Sequence, residues 1–265
     1  MKDTSIKDRD QFVAKSNELI TRSIYSFNAE ELQIVDYATS KIGPNDTADT
    51  WYNFTVTDYC RANGITMDGG RVYNMLKDTM KRLRDKSWYI KTDKGKYTTI
   101  SWFNKVTVNE DSGLIEYRFD EDVHPYLFYL TKNYSTYRVG EVLCFKSKYS
   151  IALYQELLSC IYKYGLNEKI EKVVMITVEQ LKEKLDAKNY GRYQDFKRRV
   201  LQTAIEEINL YSEQMKVAYE ETKIGRKVTA ISFLIWQPKK DDQYMRRMAR
   251  NRRLNGSLKE RKSEK

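Results

Sequence analysis

The chain has 265 residues, 41% of them hydrophobic, and a formal net charge of +10. This length allows one large domain or two smaller ones, each with its own core. The sequence has no apolar run of the roughly 18–20 residues that span a bilayer, and its N-terminus is charged, so we expect a cytoplasmic protein. The scattered thiols of Cys60, Cys144 and Cys160 favour a reducing compartment and argue against disulfides and a zinc site.

The N-terminal half has signals for alternating helices and strands. Asn28, with Glu31 three residues later, predicts the start of a helix with a capping box. A short strand over 51–57, a short helix over 58–63 and a longer helix over 71–84 follow. The inner face of the longer helix is predicted to comprise Val72, Leu76, Met80 and Leu83. Two hairpins then flank the polar loops 92–96 and 109–113.

The C-terminal half repeats this order. We expect a helix over 150–164, a strand over 173–177, and a short helix capped by Thr177 with Gln180 at the capping-box position. A long basic helix and a hairpin around Gly225 complete the unit. Thr57 and Thr177 lie 120 residues apart, an agreement in spacing that indicates internal duplication.

The basic helix over 189–209 is the most informative stretch. Its predicted core face recurs every three or four residues and comprises Phe196, Val200, Leu201, Ala204, Ile205 and Ile208. Its cations lie in the first turns, where the helix dipole is positive. Each such charge costs roughly 0.3–1 kcal/mol of helix stability. An external anion would explain this order, as in a DNA recognition helix. A solvated charged face on an ordinary helix is the alternative.

A short helix, a long helix and a hairpin are the parts of a winged helix. We therefore predict an α+β fold of two tandem winged-helix domains related by internal duplication. The long helices would enter successive major grooves, and the wing loops would reach phosphates. The first wing is expected to carry Lys94 and Lys96, and the second Lys223, Arg226 and Lys227. An interaction scaffold that binds no DNA remains the alternative.

The sequence offers no active site. His124 is the only histidine, which argues against a metal-dependent nicking enzyme despite 21 tyrosines. No G-x-x-x-x-G-K-[ST] phosphate loop is present, which excludes an ATPase of that type. We predict a non-enzymatic protein without a cofactor or metal.

The C-terminal segment over 239–265 is strongly basic, with 11 Lys and Arg against 4 Asp and Glu. Its few apolar residues predict a disordered or transiently helical tail. Such a tail could act as a phosphate-binding arm or merely as a solubilising end. In either case a chain ending at Pro238 would still fold.

Four segments in this order resemble the iteron-binding plasmid replication initiators. They are VAKSNELI (Val13–Ile20), YSIALYQELL (Tyr149–Leu158), YQDFKRRVLQTAIEEIN (Tyr193–Asn209) and GRKVTAISF (Gly225–Phe233). The resemblance covers about residues 12–236. It implies two winged-helix domains, monomers that bind direct repeats at an origin and help to open AT-rich DNA, and dimers that repress the initiator's own promoter. The host initiator and the replicative helicase are further implied partners.

We therefore predict a plasmid replication initiator, with a plain repressor of the same architecture and a nicking initiator as alternatives. The expected domains are 1–135 for DNA contacts and dimerisation, 136–238 for specific DNA binding, and the tail 239–265. We predict a homodimer in equilibrium with a monomer. The predicted DNA-binding residues are Arg71, Asn74, Lys77, Lys81, Lys94, Lys96, Asn189, Tyr190, Arg192, Tyr193, Lys197, Arg198, Arg199, Lys223, Arg226 and Lys227.

Overall fold

The computed structural model describes residues 8–24, 26–67, 70–92, 95–162 and 172–259. These residues divide into two units. Unit 1 contains the chain up to Cys144 together with the part from Asn251 onward, and unit 2 runs from Phe145 to Arg250. Each unit contains a helix-turn-helix and a three-stranded antiparallel sheet that begins with the strand before it.

Unit 1 contains helices and short strands in alternation, with a 3₁₀ turn (Glu121–Val123) before α5. In chain order these are β1 (Phe12–Ser16), α1 (Asn17–Arg22), β2 (Ser23–Ile24), α2 (Ala29–Thr39), β3 (Tyr52–Thr55), α3 (Val56–Asn63), α4 (Arg71–Asp85), β4 (Ser87–Lys91), β5 (Tyr97–Ser101), β6 (Phe103–Asn109), β7 (Leu114–Phe119), α5 (His124–Leu127), β8 (Tyr134–Arg138) and α6 (Val139–Cys144).

Two predicted helix signals of unit 1 are confirmed, and the start of a third helix differs from the prediction. Asn28 and Glu31 form the capping box of α2. Every residue predicted for the inner face of α4 is buried. The cap of α3 is Thr55, in a capping box with Asp58, so the counterpart of Thr177 is not Thr57 as the 120-residue spacing suggested.

The wing of unit 1 is not the hairpin that we predicted. β3, the strand before the helix-turn-helix, pairs with β7, which pairs with β6. In unit 2 the strand before the helix-turn-helix likewise pairs with the second strand of the hairpin that follows it. The first wing is therefore the hairpin β6–β7, with a loop over 110–113. The hairpin β4–β5 belongs to a separate sheet with β2. Lys96 is therefore not on the wing, and Lys94 lies outside the described residues.

The first unit extends beyond residue 135, where we predicted its end. β8 pairs along its whole length with β1, from Phe12 opposite Arg138 to Ser16 opposite Tyr134. Helix α6 follows β8 at once and is buried throughout. Pairing with the N-terminal strand keeps this segment in unit 1, so the boundary falls after Cys144.

A buried ion pair lies beneath this strand pair. Lys15 on β1 contacts the carboxylate of Asp36 on α2, and both side chains are almost fully buried. The hydroxyl of Tyr137 on β8 donates to the same carboxylate at 3.1 Å. A buried charge is tolerated when it is paired and hydrogen-bonded, so this cluster fixes β1, β8 and α2 together.

Unit 2 contains a simpler set of elements. They are α7 (Lys148–Tyr162), β9 (Lys172–Thr177), α8 (Val178–Lys184), α9 (Tyr193–Phe196, Lys197–Gln202 and Thr203–Tyr211 in continuation), β10 (Lys216–Ile224), β11 (Lys227–Trp236) and α10 (Lys240–Lys259). Thr177 and Gln180 form the predicted capping box of α8. The sheet order is β10-β11-β9. Gly165, the predicted end of α7, lies outside the described residues.

The predicted core face of α9 is confirmed, because all six of its residues are buried. The helix begins at Tyr193 rather than Asn189, and its middle segment Lys197–Gln202 is π-helical. A π-turn inserts one extra residue into the helical repeat. Within this segment Val200 and Leu201 face the core, as the sequence predicts, and the two residues before them face solvent.

Residues Lys240–Lys259 of the basic C-terminal segment form the helix α10, so the disorder predicted for this part is wrong. Residues 260–265 lie outside the described residues. In unit 2, Arg246 donates to the carbonyl oxygens of Ser212 (2.8 Å) and Met215 (2.9 Å). In unit 1, the buried guanidinium of Arg9 donates to the carbonyl oxygen of Leu254 at 3.0 Å. Residue 64 must be glycine for this contact, because a Cβ on Gly64 would lie 1.9 Å from that same oxygen and clash with it. Arg246 of this segment is therefore a buried hydrogen-bond donor, a role that composition does not reveal.

His124 has a structural environment. Its Nε2 lies 3.3 Å from the carbonyl oxygen of Phe119, and its ring packs edge-on against Phe128. Within the described part of the chain, no group of three or more His, Cys, Asp or Glu side chains could hold a metal ion. Nor does that part contain a helix long and apolar enough to cross a membrane.

Candidate nucleic-acid interface

The N-terminal half of α9 presents its cations to solvent. Arg192 is the N-cap residue and makes no side-chain cap, so the first turn keeps free N–H groups. Arg198 and Arg199, one turn further along, are both exposed. Arg198 lies 3.4 Å from Asp195 in a largely solvated pair, and Arg199 and Arg192 make no ion pair with any described residue. The positive end of a helix dipole and three exposed guanidinium groups are features that favour an anion.

The wing of unit 2 supplies a second set of cations. Lys223, Arg226 and Lys227 are all exposed around the turn between β10 and β11. Gly225 has φ +61°, which a side chain would strain, so the tight turn depends on glycine. Both lysines have distant acidic neighbours, with Lys223 3.8 Å from Glu221 and Lys227 3.7 Å from Glu179. Exposed pairs of this length leave the lysines available for phosphates.

A cleft of about 380 Å³ separates α8, the start of α9 and the wing. Its lining residues are Val178, Glu179, Lys182, Gly191, Tyr193, Gln194, Glu221, Lys223, Arg226, Lys227 and Val228. The three wing cations and the first turn of α9 therefore border the same cleft. Gln194, exposed in the first turn of α9, was not among the predicted residues, although an exposed amide there is a typical base-reading group.

An acidic side chain lies among these cations. Glu221 on β10 accepts a hydrogen bond from the hydroxyl of Tyr193 at 2.9 Å and forms an ion pair with Lys197 at 2.7 Å. Its carboxylate is mostly shielded from solvent. The hydrogen bond from Lys197 lowers the pKa of Glu221 and outweighs its desolvation. Burial, and then the bond to Glu221, raise the pKa of Tyr193 well above its usual value.

The segment between α8 and α9 divides into an exposed and a structural residue. Asn189 is exposed and available to a ligand. Tyr190 is half-buried, and its ring packs edge-on against Tyr149. The carbonyl oxygen of Tyr190 also accepts a hydrogen bond from Lys182 at 2.5 Å. This contact holds the turn of the helix-turn-helix, which gives Tyr190 a role in positioning α9.

Unit 1 presents a weaker version of the same surface. Arg71, Asn74 and Lys81 are exposed on α4, and Lys81 pairs with Asp85 at 2.7 Å. Lys77 pairs with Glu110 at the tip of the β6–β7 wing. That wing loop carries Glu110 and Asp111 and no cation. The loop of this wing is therefore acidic, whereas the wing loop predicted from the sequence is basic.

Comparisons with known proteins agree with this architecture. Residues 12–158 match the family described as Initiator Replication protein, WH1, and residues 177–235 match Initiator Rep protein, WH2. A replication initiation protein of Escherichia coli is 27% identical over 232 residues, which are 84% of this chain and 69% of that protein.

A solved structure has the same fold. The crystal structure of the Pi initiator protein in complex with iteron DNA matches with a TM-score of 0.68 and 21% identity, covering 87% of this chain and 99% of that one. The family matches cover most of the sequence and assign one winged helix to each half. The chain therefore belongs to the initiator replication protein family, as a replication initiator built from two winged-helix domains.

Proposed function

We propose that the chain binds directly repeated origin sequences (iterons), opens the adjacent DNA and represses its own promoter. The observation that supports this most directly is the set of exposed cations at the start of α9 and on the facing wing. Cations on the recognition helix and on the wing are the groups with which a winged helix can read a major groove and hold its flanking backbone.

The residues of unit 2 have distinct proposed roles. Arg198 and Arg199 project from the exposed side of α9, and a guanidinium can read guanine through two hydrogen bonds. Arg192 and Asn189, at the start of the helix, would contact phosphates. Lys223, Arg226 and Lys227 would contact the backbone beside the groove.

Unit 1 would add affinity with less sequence information. Arg71, Asn74 and Lys81 are exposed on α4, whereas Lys77 already has an acidic partner. We propose that this unit also carries the contacts of a homodimer that represses the promoter, and that monomers act at the origin. The host initiator and the replicative helicase are proposed partners at the opened DNA. The Pi initiator protein, which shares this fold, was solved in complex with iteron DNA, and that supports the proposal.

Footprinting tests the proposal. The purified protein is incubated with a supercoiled plasmid carrying the DNA upstream of its own gene, and protection is mapped at several salt concentrations. We expect protection of several short direct repeats, with an affinity that falls as salt rises because bound cations release counterions. Protection of a single site, or of no site, would contradict the assignment.

A second measurement separates an initiator from a plain repressor. Permanganate reactivity of thymines next to the protected repeats reports unpaired DNA. An initiator makes an AT-rich segment reactive, whereas a repressor binds and leaves the segment unreactive. Lys146→Ala controls for the loss of a cation away from the proposed DNA surface. Lys146 is exposed beside Glu207, towards the other end of α9. This variant should open the DNA as the wild type does.

A further inference from the structure

The carboxylate of Glu221 faces the surface that we assign to DNA. It lies within 4 Å of the ammonium groups of two lysines, Lys197 at 2.7 Å and Lys223 at 3.8 Å. It also accepts a hydrogen bond from the hydroxyl of Tyr193. DNA is a polyanion, so a carboxylate at its binding surface opposes every approach of the backbone. Such a group must contribute something other than affinity.

Glu221 also fixes two side chains of the recognition helix. Tyr193 lies in the first turn of α9, and Lys197 lies one turn further along. Both are long side chains that would otherwise sample several rotamers, and each is tied to the same carboxylate. Binding to a preformed arrangement loses less conformational entropy, which favours the DNA that fits this arrangement.

Unit 1 contains a similar contact between a lysine and a glutamate. Lys77 directly follows the buried Leu76 of α4 and pairs with Glu110 on the wing. Lys197 directly follows the buried Phe196 of α9 and pairs with Glu221 on the other wing. In both units, therefore, a lysine of the recognition helix pairs with a glutamate of the wing.

We propose that Glu221 is a specificity-determining residue, which withholds Lys197 from non-specific phosphates and holds Tyr193 and Lys197 in the arrangement that reads the repeats. Glu110 has the corresponding role towards Lys77. A lysine that is paired with a carboxylate of the protein releases no counterion from random DNA, so non-specific binding is weakened. The oriented side chains keep the contacts to the correct sequence, which is discrimination by a repulsive element. This inference rests on the proposed function.

Glu221→Gln tests the proposal, because the amide keeps the size of the side chain and removes its charge. Binding to a protected repeat and to a scrambled duplex of equal length and composition is measured over a range of salt. On scrambled DNA we expect tighter binding and a salt dependence steeper by about 0.9 units, since Lys197 becomes free for one more phosphate. We expect the ratio of specific to scrambled affinity to fall by about tenfold.

Glu220→Gln is the matched control. Glu220 is the preceding residue of β10, is exposed, and makes no ion pair with the residues that the structure describes. This variant loses the same charge, so it should strengthen both complexes alike and leave the ratio unchanged. Glu221→Asp, which retains the charge, should recover part of the wild-type ratio. Thermal melting verifies that every variant is folded.

The possible outcomes separate the two proposals. A wild type that binds repeat and scrambled duplex equally overturns the proposed function, and this inference with it. If the wild type is specific and a folded Glu221→Gln keeps the wild-type ratio, the specificity role is wrong while the initiator function stands. The same conclusion follows if the Glu220→Gln control lowers the ratio equally, because overall charge would then be the cause.

Discussion

The guanidinium of Arg250 and the carboxylate of Glu213 form a buried ion pair of 2.6 Å in unit 2. Arg250 lies on α10, and Glu213 lies in the segment that joins the end of α9 to β10. Arg247 adds two hydrogen bonds to the same carboxylate, at 3.0 and 2.5 Å. The basic C-terminal helix therefore holds the segment that connects the recognition helix to the wing.

Removing the charge of Glu213 should destabilise unit 2. Glu213→Gln leaves Arg250 buried without its anion, and breaking a buried pair in this way costs about 3–5 kcal/mol. Chemical denaturation followed by circular dichroism measures the loss. Glu206→Gln, an exposed glutamate of α9, is the control and should change stability by less than about 0.5 kcal/mol. Equal stability of the two variants would show that the pair contributes nothing.

The same ion pair predicts a dependence of stability on pH. Burial raises the pKa of Glu213, but the hydrogen bond from Arg247 and the charge of Arg250 outweigh it, so the net pKa lies below the ordinary 4.5. A carboxyl with a lowered pKa in the folded state stabilises the protein fully above its unfolded pKa. This contribution is lost as the pH falls through the folded pKa.

Unfolding free energies measured from about pH 6 to about pH 3 should therefore fall more steeply for the wild type than for Glu213→Gln. The variant has no carboxyl at this position to protonate, so part of its acid sensitivity is already removed. Parallel curves for the two proteins would show that another group causes the acid sensitivity.

Ending the chain at Pro238 should destabilise both units. Unit 2 loses the bonds from Arg246 to Ser212 and Met215, and unit 1 loses the contact of Leu254 with Arg9. We expect the melting temperature to fall by at least about 5 °C, since 1 kcal/mol shifts it by about 2–4 °C in a chain of this size. A truncated chain that melts with the full-length protein would mean that α10 packs without contributing stability.

Arg198→Ala and Arg199→Ala should weaken specific DNA binding and leave the fold intact. Both side chains are exposed, so their removal creates no cavity. Loss of a bidentate contact to guanine costs about 1–3 kcal/mol and relaxes the preference at one base pair. Affinities for a protected repeat and its single-base variants measure both effects. An equal loss on every duplex would identify the two arginines as phosphate contacts.

Phe196→Ala should destabilise unit 2, and any loss of DNA binding should follow from this loss of stability. Phe196 is fully buried in the first part of α9, and truncation of a buried phenylalanine costs about 3–5 kcal/mol. The cooperative melting transition of the variant should lie well below that of the wild type, at all salt concentrations. A variant with wild-type melting and lost DNA binding would place the side chain on the DNA surface, against the structure.

Local sequence signals were sufficient for many elements of this fold. The capping boxes at Asn28 and Thr177 mark helix starts because they involve residues three positions apart. The apolar repeat through Phe196 and Val200 identified the buried face of α9, since helical geometry alone places these residues on one side. The order of helices and strands then indicated two winged helices.

Long-range pairing decided what these signals could not. Two hairpins follow α4 in the sequence, and only the pairing of β3 with β7 selects the second as the wing. The arginine-rich composition of α10 predicted a disordered tail. Its arginines instead bind carbonyl and carboxylate groups more than thirty residues earlier in the chain, which composition does not show. The pair of Lys197 and Glu221 likewise joins a helix to a strand. A sequence states which charges exist, but only the tertiary structure brings each charge to its partner, because an ion pair depends on distance in space and not along the chain.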